Sequence, residues 1–139
     1  MTNFNECLKE GKAKKALVDK IRAKSLIKYS IIDIENALKI SLNESTLRTI
    51  FRELYEGLRE YIEAIGFLNG YKFLDHISIT HFLKDVLNEE VISEKFDRYR
   101  KIRNRINYYG DPVSMETVKE IISSIQEIIK YLNRHLINI

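Results

Sequence analysis

The chain has 139 residues, 45% of them hydrophobic and 31% charged, with one proline, five glycines and a net charge of +3. This length suits one domain, and the composition excludes a disordered chain and argues against an all-β fold. Cys7 is the single cysteine, which excludes an internal disulfide. With no apolar run long enough to cross a membrane, we expect a cytoplasmic protein with no membrane, metal or cofactor partner. Abundant isoleucine, lysine and glutamate are compatible with a thermophilic source.

Apolar residues at helical spacing predict one domain over residues 1–139, with loosely ordered ends over 1–12 and 137–139. The first helix is predicted to run from the lysine-rich segment at 12–15 to about Ile40. Its lysines form a solvated face or, alternatively, a basic rim that attracts nucleic acid. Ser41 to Glu44 has the spacing of a capping box, with Asn43 as an alternative cap, and predicts the start of the second helix.

The second helix is predicted to stop at Asn69-Gly70, and residues 71–73 then lead into a loop. Asp75 or Ser78 can cap a third helix, and a fourth runs from about Glu89 to Tyr109, where Gly110 ends it. Ser114 is a candidate cap for the last helix. The broad apolar stripe of that helix indicates either a central place in the bundle or a dimer face.

The stretch from Arg98 to Gly110, RYRKIRNRINYYG, carries more polar side chains than helix packing requires. At about 100° per residue, Arg98, Lys101 and Arg105 point away from the apolar side of the fourth helix. Along the border of that apolar side, two arginines and two asparagines offer a fork for phosphate and amides for a base or sugar. The predicted phosphate- or RNA-binding residues are Arg100, Arg103, Asn104, Asn107 and Tyr108.

A purely structural role is the alternative for this border. Arg103 then bonds backbone carbonyls or an acidic residue such as Asp97 and ties helices or subunits together. The stretch contains no histidine, cysteine or carboxylate for proton chemistry. His76 and His81 lie five residues apart, which is a poor spacing for two metal ligands on one helical face. We therefore expect both to be ordinary polar residues.

The chain resembles the HEPN family of small helical domains. Residues 47–73, LRTIFRELYEGLREYIEAIGFLNGYKF, followed by His76, are similar to the family's aromatic-rich second helix and the loop after it. Residues 96–110 resemble its signature helix. The resemblance implies an all-α antiparallel bundle of about five helices, like the substrate-binding subunits of nucleotidyltransferases. That helix order, and the number of helices, agree with the periodicity of the sequence.

The family's signature is an arginine, usually followed by a polar residue, and then a histidine after four to six intervening residues. Arg103-Asn104 fits its start, but Tyr108 stands where the histidine is expected, and neither Tyr109 nor Gly110 restores it. In the family a histidine, with a pKa of about 6.5, takes the RNA 2′-hydroxyl proton, whereas a tyrosine, with a pKa of about 10, stays protonated. The resemblance therefore implies phosphate binding by Arg103 with support from Asn104. Arg103 and Tyr108 remain the candidates for catalysis.

Three functions follow as expectations. The first is a HEPN-like domain with a degenerate ribonuclease motif that binds RNA or nucleotide phosphate and/or is the helical partner of a nucleotidyltransferase-like antitoxin. The resemblance implies a homodimer with Arg103 near the dimer cleft. The second is an active, metal-independent endoribonuclease toxin in which Arg103 works with His76 or His81. The third is a pure helical interaction or scaffold module.

Overall fold

Helices dominate the structure, a computed structural model that describes residues 2–136. The all-α bundle is confirmed, although the described residues contain six α-helices rather than about five, and also two short strands. In chain order the elements are α1 (Phe4–Lys9), β1 (Ala13–Lys15), α2 (Lys20–Leu38), α3 (Leu47–Leu68), β2 (Tyr71–Phe73), α4 (His76–Asp85), α5 (Glu90–Tyr109) and α6 (Met115–Leu132), followed by a 3₁₀ turn, Asn133–Leu136.

α3 is the centre of the bundle and contacts α2, α4, α5 and α6. Its apolar residues recur every three or four positions and are buried along nearly the whole helix. Two glycines permit close approach of its neighbours. A Cβ atom at Gly57 would lie 2.5 Å from Ile34 Cγ1 on α2, and one at Gly66 would lie 2.6 Å from the Phe73 ring on β2. These distances are too short for any side chain larger than hydrogen.

Within the predicted loose start over 1–12, Phe4–Lys9 form α1 and pack on the core. Phe4 and Cys7 of α1 are buried, and the Phe4 ring packs edge-on against Tyr71 and Phe82 at centroid distances of 5.0 and 5.6 Å. The Phe4 amide also donates to the Asp85 carboxylate at 2.8 Å. The aromatic contacts fix α1 because they bury apolar surface that so short a helix cannot bury by itself. Residues 137–139, the other expected loose end, lie outside the described residues.

The predicted long first helix is also wrong at its start. Residues 13–15 form β1, which pairs antiparallel with β2, with Ala13 opposite Phe73. Residues 71–73, expected to enter a loop, are therefore a strand. α2 begins at Lys20 because the Asp19 side chain accepts a hydrogen bond from the Arg22 amide at 2.9 Å and caps the helix.

Most predicted helix ends are confirmed. Asp75 caps α4, Ser114 caps α6, and Gly110 ends α5 in the left-handed conformation with φ of 66°. The capping box at residues 41–44 is wrong. Asn43 instead accepts hydrogen bonds from the amide and hydroxyl of Ser45 in a turn, and α3 begins later, at Leu47.

The apolar stripe of α6 is buried inside the bundle, where α6 packs on α3. Ile122 and Ile129, which widen the stripe, are partly buried against the same core. The fully buried residues of this stripe are therefore covered within the chain by the rest of the bundle. Within residues 2–136, no helix combines the length and the apolar character needed to cross a membrane.

Candidate phosphate-binding site

α5 carries the predicted polar border beside α3 and α4. Phe96, Tyr99 and Ile106 are buried and fix the rotation of the helix. Arg98, Lys101 and Arg105 are exposed, as predicted, although each of them pairs with a carboxylate. Because Phe96 and Tyr99 face the core, the residues that follow them by one turn, Arg100 and Arg103, lie at the margin of the apolar surface.

Arg100 is fully engaged in a contact within α5. Its Nε and Nη2 atoms donate to Asp97 Oδ1 at 3.0 and 2.8 Å, and its side chain is 12% exposed. Asp97 also pairs with Lys101 at 3.1 Å. Burial would raise the pKa of Asp97, but the hydrogen bonds from Arg100 and Lys101 outweigh it, so the pKa is lowered. Arg100 therefore has a structural partner that holds its guanidinium through two short hydrogen bonds.

Arg103 has looser contacts. Its side chain is 21% exposed, its Nη2 lies 3.5 Å from Glu56 Oε1 on α3, and its Nη1 lies 3.5 Å from Asn104 Oδ1. The guanidinium carbon also lies 5.8 Å from the centre of the Tyr55 ring. An arginine side chain has five N–H donors, and contacts of 3.5 Å are at the outer limit of hydrogen bonding. Arg103 therefore keeps most of its donor capacity.

Glu56 is held mainly by a different arginine. Its Oε2 accepts two hydrogen bonds from Arg59, at 3.0 and 2.7 Å, and Arg59 also pairs with Glu63. Glu56 Oε1, the atom nearest Arg103, is buried and has no hydrogen-bond partner among the described residues. An anion that replaced Glu56 at Arg103 would leave both hydrogen bonds from Arg59 to Glu56 Oε2 in place.

Tyr55 links this site to a histidine. The Tyr55 ring is buried and stacks on Phe96 at a centroid distance of 5.3 Å, and its hydroxyl lies 2.8 Å from His76 Nδ1. Burial, followed by the positive charges of Arg59 and Arg103, lowers the pKa of His76 to about 4. The imidazole is therefore neutral at physiological pH. His81 does not join it, since it lies in another groove with Thr80, Lys84 and Asp85.

The remaining border residues divide into two groups. Asn104 is partly buried and contacts Arg103, whereas Asn107, Tyr108 and Tyr109 are exposed at the end of α5. Arg48 of α3 donates to the Ile106 carbonyl at 3.3 Å and so satisfies one carbonyl of the last turn. Of the five predicted binding residues, the structure thus brings Arg103 and Asn104 together, engages Arg100 elsewhere, and leaves Asn107 and Tyr108 in solvent.

Sequence reasoning missed the α3 side of the site. Asp97, the suggested acidic partner of Arg103, binds Arg100 instead, and Glu56 lies beside Arg103. Glu56 and Arg59 stand three positions apart on α3, a spacing that indicates an ion pair but not its neighbours on another helix. The position of His76 against Tyr55 had no sequence signal.

We also searched the described residues for side chains that could bind a metal ion. Within residues 2–136, no group of three or more His, Cys, Asp or Glu side chains is placed to hold a metal ion. No protein-family model, curated protein or solved structure matches the chain. The chemistry of the site therefore rests on its own residues, namely a partly free guanidinium, an amide, a neutral imidazole and a carboxylate held through one oxygen by Arg59.

Proposed function

We propose that this chain binds RNA or nucleotide phosphate at Arg103, as a HEPN-like domain with a degenerate ribonuclease motif. The observation that carries the proposal is the loose engagement of Arg103, whose two polar contacts are both 3.5 Å long. A phosphate group can accept two parallel hydrogen bonds from a guanidinium, which are shorter and stronger than these contacts. Asn104, beside Arg103, supplies an amide for a sugar or base.

The surroundings of Arg103 favour exchange of its partner. Glu56 keeps its two hydrogen bonds from Arg59 at Oε2 when Arg103 turns to a ligand, so the carboxylate retains a paired arginine. Arg48 and Arg52 lie on the same α3 helix and add positive charge, which attracts a polyanion at low salt. The exposed rings of Tyr108 and Tyr109 offer stacking surface for unpaired bases.

The direct test is the affinity of a labelled single-stranded RNA for Arg103→Ala. We expect a loss of at least about tenfold, because charge-assisted hydrogen bonds to phosphate are lost. Arg98→Ala is the matched control, since it removes the same charge from the same helix but from a half-exposed surface pair with Glu120. It should cost less than about threefold. Equal losses in the two variants, or no binding by the wild type at low salt, would contradict the proposal.

An endoribonuclease is the second candidate, because His76 and Arg103 both lie against the Tyr55 ring. This candidate predicts RNA cleavage in EDTA that is lost in both His76→Gln and Arg103→Ala. The binding proposal instead predicts intact RNA in all three proteins. Gel analysis of structured and single-stranded RNA after incubation separates the two functions.

The missing histidine of the resembled motif gives a further prediction. Tyr108→His should create metal-independent RNA cleavage, because it supplies a general base at the position where the resembled family has one. Tyr108 is exposed, so the substitution should change the free energy of unfolding by less than about 0.5 kcal/mol. Tyr108→Phe is the control and should remain inactive. If Tyr108→His shows no cleavage, the resemblance does not extend to the geometry of the site.

The partner role is part of the same proposal. Leu17 and Ile21 are 91% and 85% exposed, and Lys20 and Lys24 lie in the adjoining turns of α2. An exposed apolar pair among cations suits an acidic protein surface, such as that of a nucleotidyltransferase-like antitoxin. Co-expression and co-purification with the protein encoded by the neighbouring reading frame test this, and the proposal requires that protein to be nucleotidyltransferase-like and Leu17→Ser to weaken the interaction. We also propose the homodimer that the resemblance implies, and light scattering tests it.

A further inference from the structure

We infer that His76 is a second ligand-binding residue, a neutral hydrogen-bond donor fixed in its Nε2–H tautomer by Tyr55, and that it is not a general base. The inferred ligand is a phosphate ester held at Arg103, and this part of the inference rests on the proposed function. The tautomer itself follows from the contacts of Tyr55 and does not depend on any ligand.

The direction of the Tyr55–His76 hydrogen bond determines the tautomer. Tyr55 is completely buried, and among the described residues its hydroxyl has one partner, His76 Nδ1, at 2.8 Å. If the hydroxyl only accepted a hydrogen bond from Nδ1–H, its own buried proton would have no acceptor, which is costly. The hydroxyl therefore donates to Nδ1. A neutral imidazole has one ring proton, so that proton lies on Nε2.

The charged groups around His76 favour this neutral form. Arg59 and Glu56 face it from α3, Arg103 from α5, and Asp75 precedes it at the start of α4. The two carboxylates are already engaged, Glu56 by Arg59 and Asp75 by the Ser78 amide. Burial and the two guanidinium groups outweigh them, so the lowered pKa of His76 keeps the ring neutral above about pH 5.

His76 Nε2 remains available. Among the described residues it has no hydrogen-bond partner, and it is not one of the buried unpaired atoms, so it reaches solvent. A general base needs a lone pair on the atom that meets the substrate proton, and Nε2 carries a proton instead. It can donate to an acceptor such as a ribose or phosphate oxygen. His76 and Arg103, which flank the same Tyr55 ring, thus present one neutral donor and one cationic fork.

This pairing defines the ligand class and its pH behaviour. A nucleotide or RNA segment offers a phosphate oxygen to Arg103 and a second acceptor oxygen to His76. The His76 ring stays neutral between about pH 5.5 and about pH 8, and an internal RNA phosphodiester keeps the same charge throughout. Affinity should therefore vary by less than about twofold over this interval, whereas a site that used imidazolium would lose affinity steeply as the pH rises.

The tautomer is tested by ¹⁵N NMR of the histidine rings, with the signals of His76 identified by their loss in His76→Gln. We expect an unprotonated Nδ1 and a protonated Nε2 from about pH 5.5 to about pH 8. Tyr55→Phe, which keeps the ring but removes the hydroxyl, should release the tautomer and give mixed Nδ1 and Nε2 signals. A wild-type Nδ1–H tautomer, or an imidazolium at about pH 6, would overturn the inference.

The donor role is tested by binding of a labelled single-stranded oligouridine. His76→Ala should lower affinity about 3- to 10-fold, and His76→Gln, whose amide can donate, should keep most of the affinity. A loss in Arg103→Ala without a loss in His76→Ala would overturn the donor role and leave the proposed function standing. If no variant differs from wild type, both the function and the donor role fail. Circular dichroism spectra and melting temperatures confirm that each variant is folded.

Discussion

Two clusters, one at Glu89 and one at Glu56, each combine a glutamate with arginine and a nearby histidine. They differ in how many of the glutamate oxygens accept hydrogen bonds. In the first, both oxygens of the buried Glu89 are used. Oε1 accepts from Arg134 Nη2 at 2.6 Å, and Oε2 accepts from Arg134 Nε at 3.0 Å and pairs with His135 Nε2 at 2.7 Å. This cluster ties the C-terminal 3₁₀ turn to the start of α5.

In the second cluster, one oxygen of Glu56 accepts both hydrogen bonds from Arg59, and the other has none among the described residues. Arg103 approaches that second oxygen no closer than 3.5 Å. The two clusters thus differ in how fully their hydrogen bonds are satisfied and not in the types of charged residue they contain. What distinguishes the second cluster is the unused donor capacity of Arg103, which an anionic ligand can use without breaking a good bond.

Arg134→Ala should cause the largest change in stability. It removes two hydrogen bonds from the buried Glu89 carboxylate and should cost about 2 kcal/mol of unfolding free energy, at the low end for a buried pair because Arg134 is 58% exposed. RNA affinity should not change. Urea denaturation measures the cost, and Arg103→Ala is the comparison, expected to cost less than about 1 kcal/mol. If Arg103→Ala lowered the free energy of unfolding more than Arg134→Ala, the Glu56 cluster would be the structural one.

Acid should lower the free energy of unfolding, because His76 is held neutral in the folded protein. The unfolded chain binds a proton on this histidine below about pH 6.5, whereas burial lowers the folded-state pKa to about 4. Between these values the unfolded state holds more protons, so stability falls as the pH falls and is constant above the upper value. The total loss should be about 2 kcal/mol, allowing for partial exposure.

The His76 contribution is isolated by comparing variants. Urea denaturation at several pH values should show a smaller acid loss in His76→Gln than in wild type. His81→Gln, on the other side of α4, should keep the wild-type loss. Equal pH dependence in all three proteins would mean that His76 is not held neutral by its surroundings.

Much of the fold could be predicted from local pattern. The apolar periodicity of α3, α5 and α6 and the caps at Asp75 and Ser114 depend on residues within one or two turns of each other. α1 and the β1–β2 pair could not be predicted in this way. They are short, and contacts distant in sequence stabilise them, such as Phe4 against Phe82 and Ala13 opposite Phe73.

Local pattern also predicted only part of the candidate site. Helical geometry placed Arg103 at the margin of the apolar side of α5, but it did not distinguish Arg103 from Arg100. That distinction depends on partners. Asp97 stands one turn before Arg100 on the same helix, whereas Glu56 reaches Arg103 from α3. The partner of Arg100 is thus local, whereas the neighbours of Arg103 and of His76 are decided by tertiary packing.

The central claim is that Glu56 competes weakly with phosphate for the guanidinium of Arg103. The affinity of labelled RNA for Glu56→Gln tests it most directly, in the wild-type and in the Arg103→Ala background. We predict a gain of about threefold in the first, because a competing carboxylate is removed, and no gain in the second. Glu63→Gln is the control, since Glu63 pairs with Arg59 and should have no effect on affinity. An equal gain in both backgrounds, or a loss of affinity in Glu56→Gln, would contradict the claim.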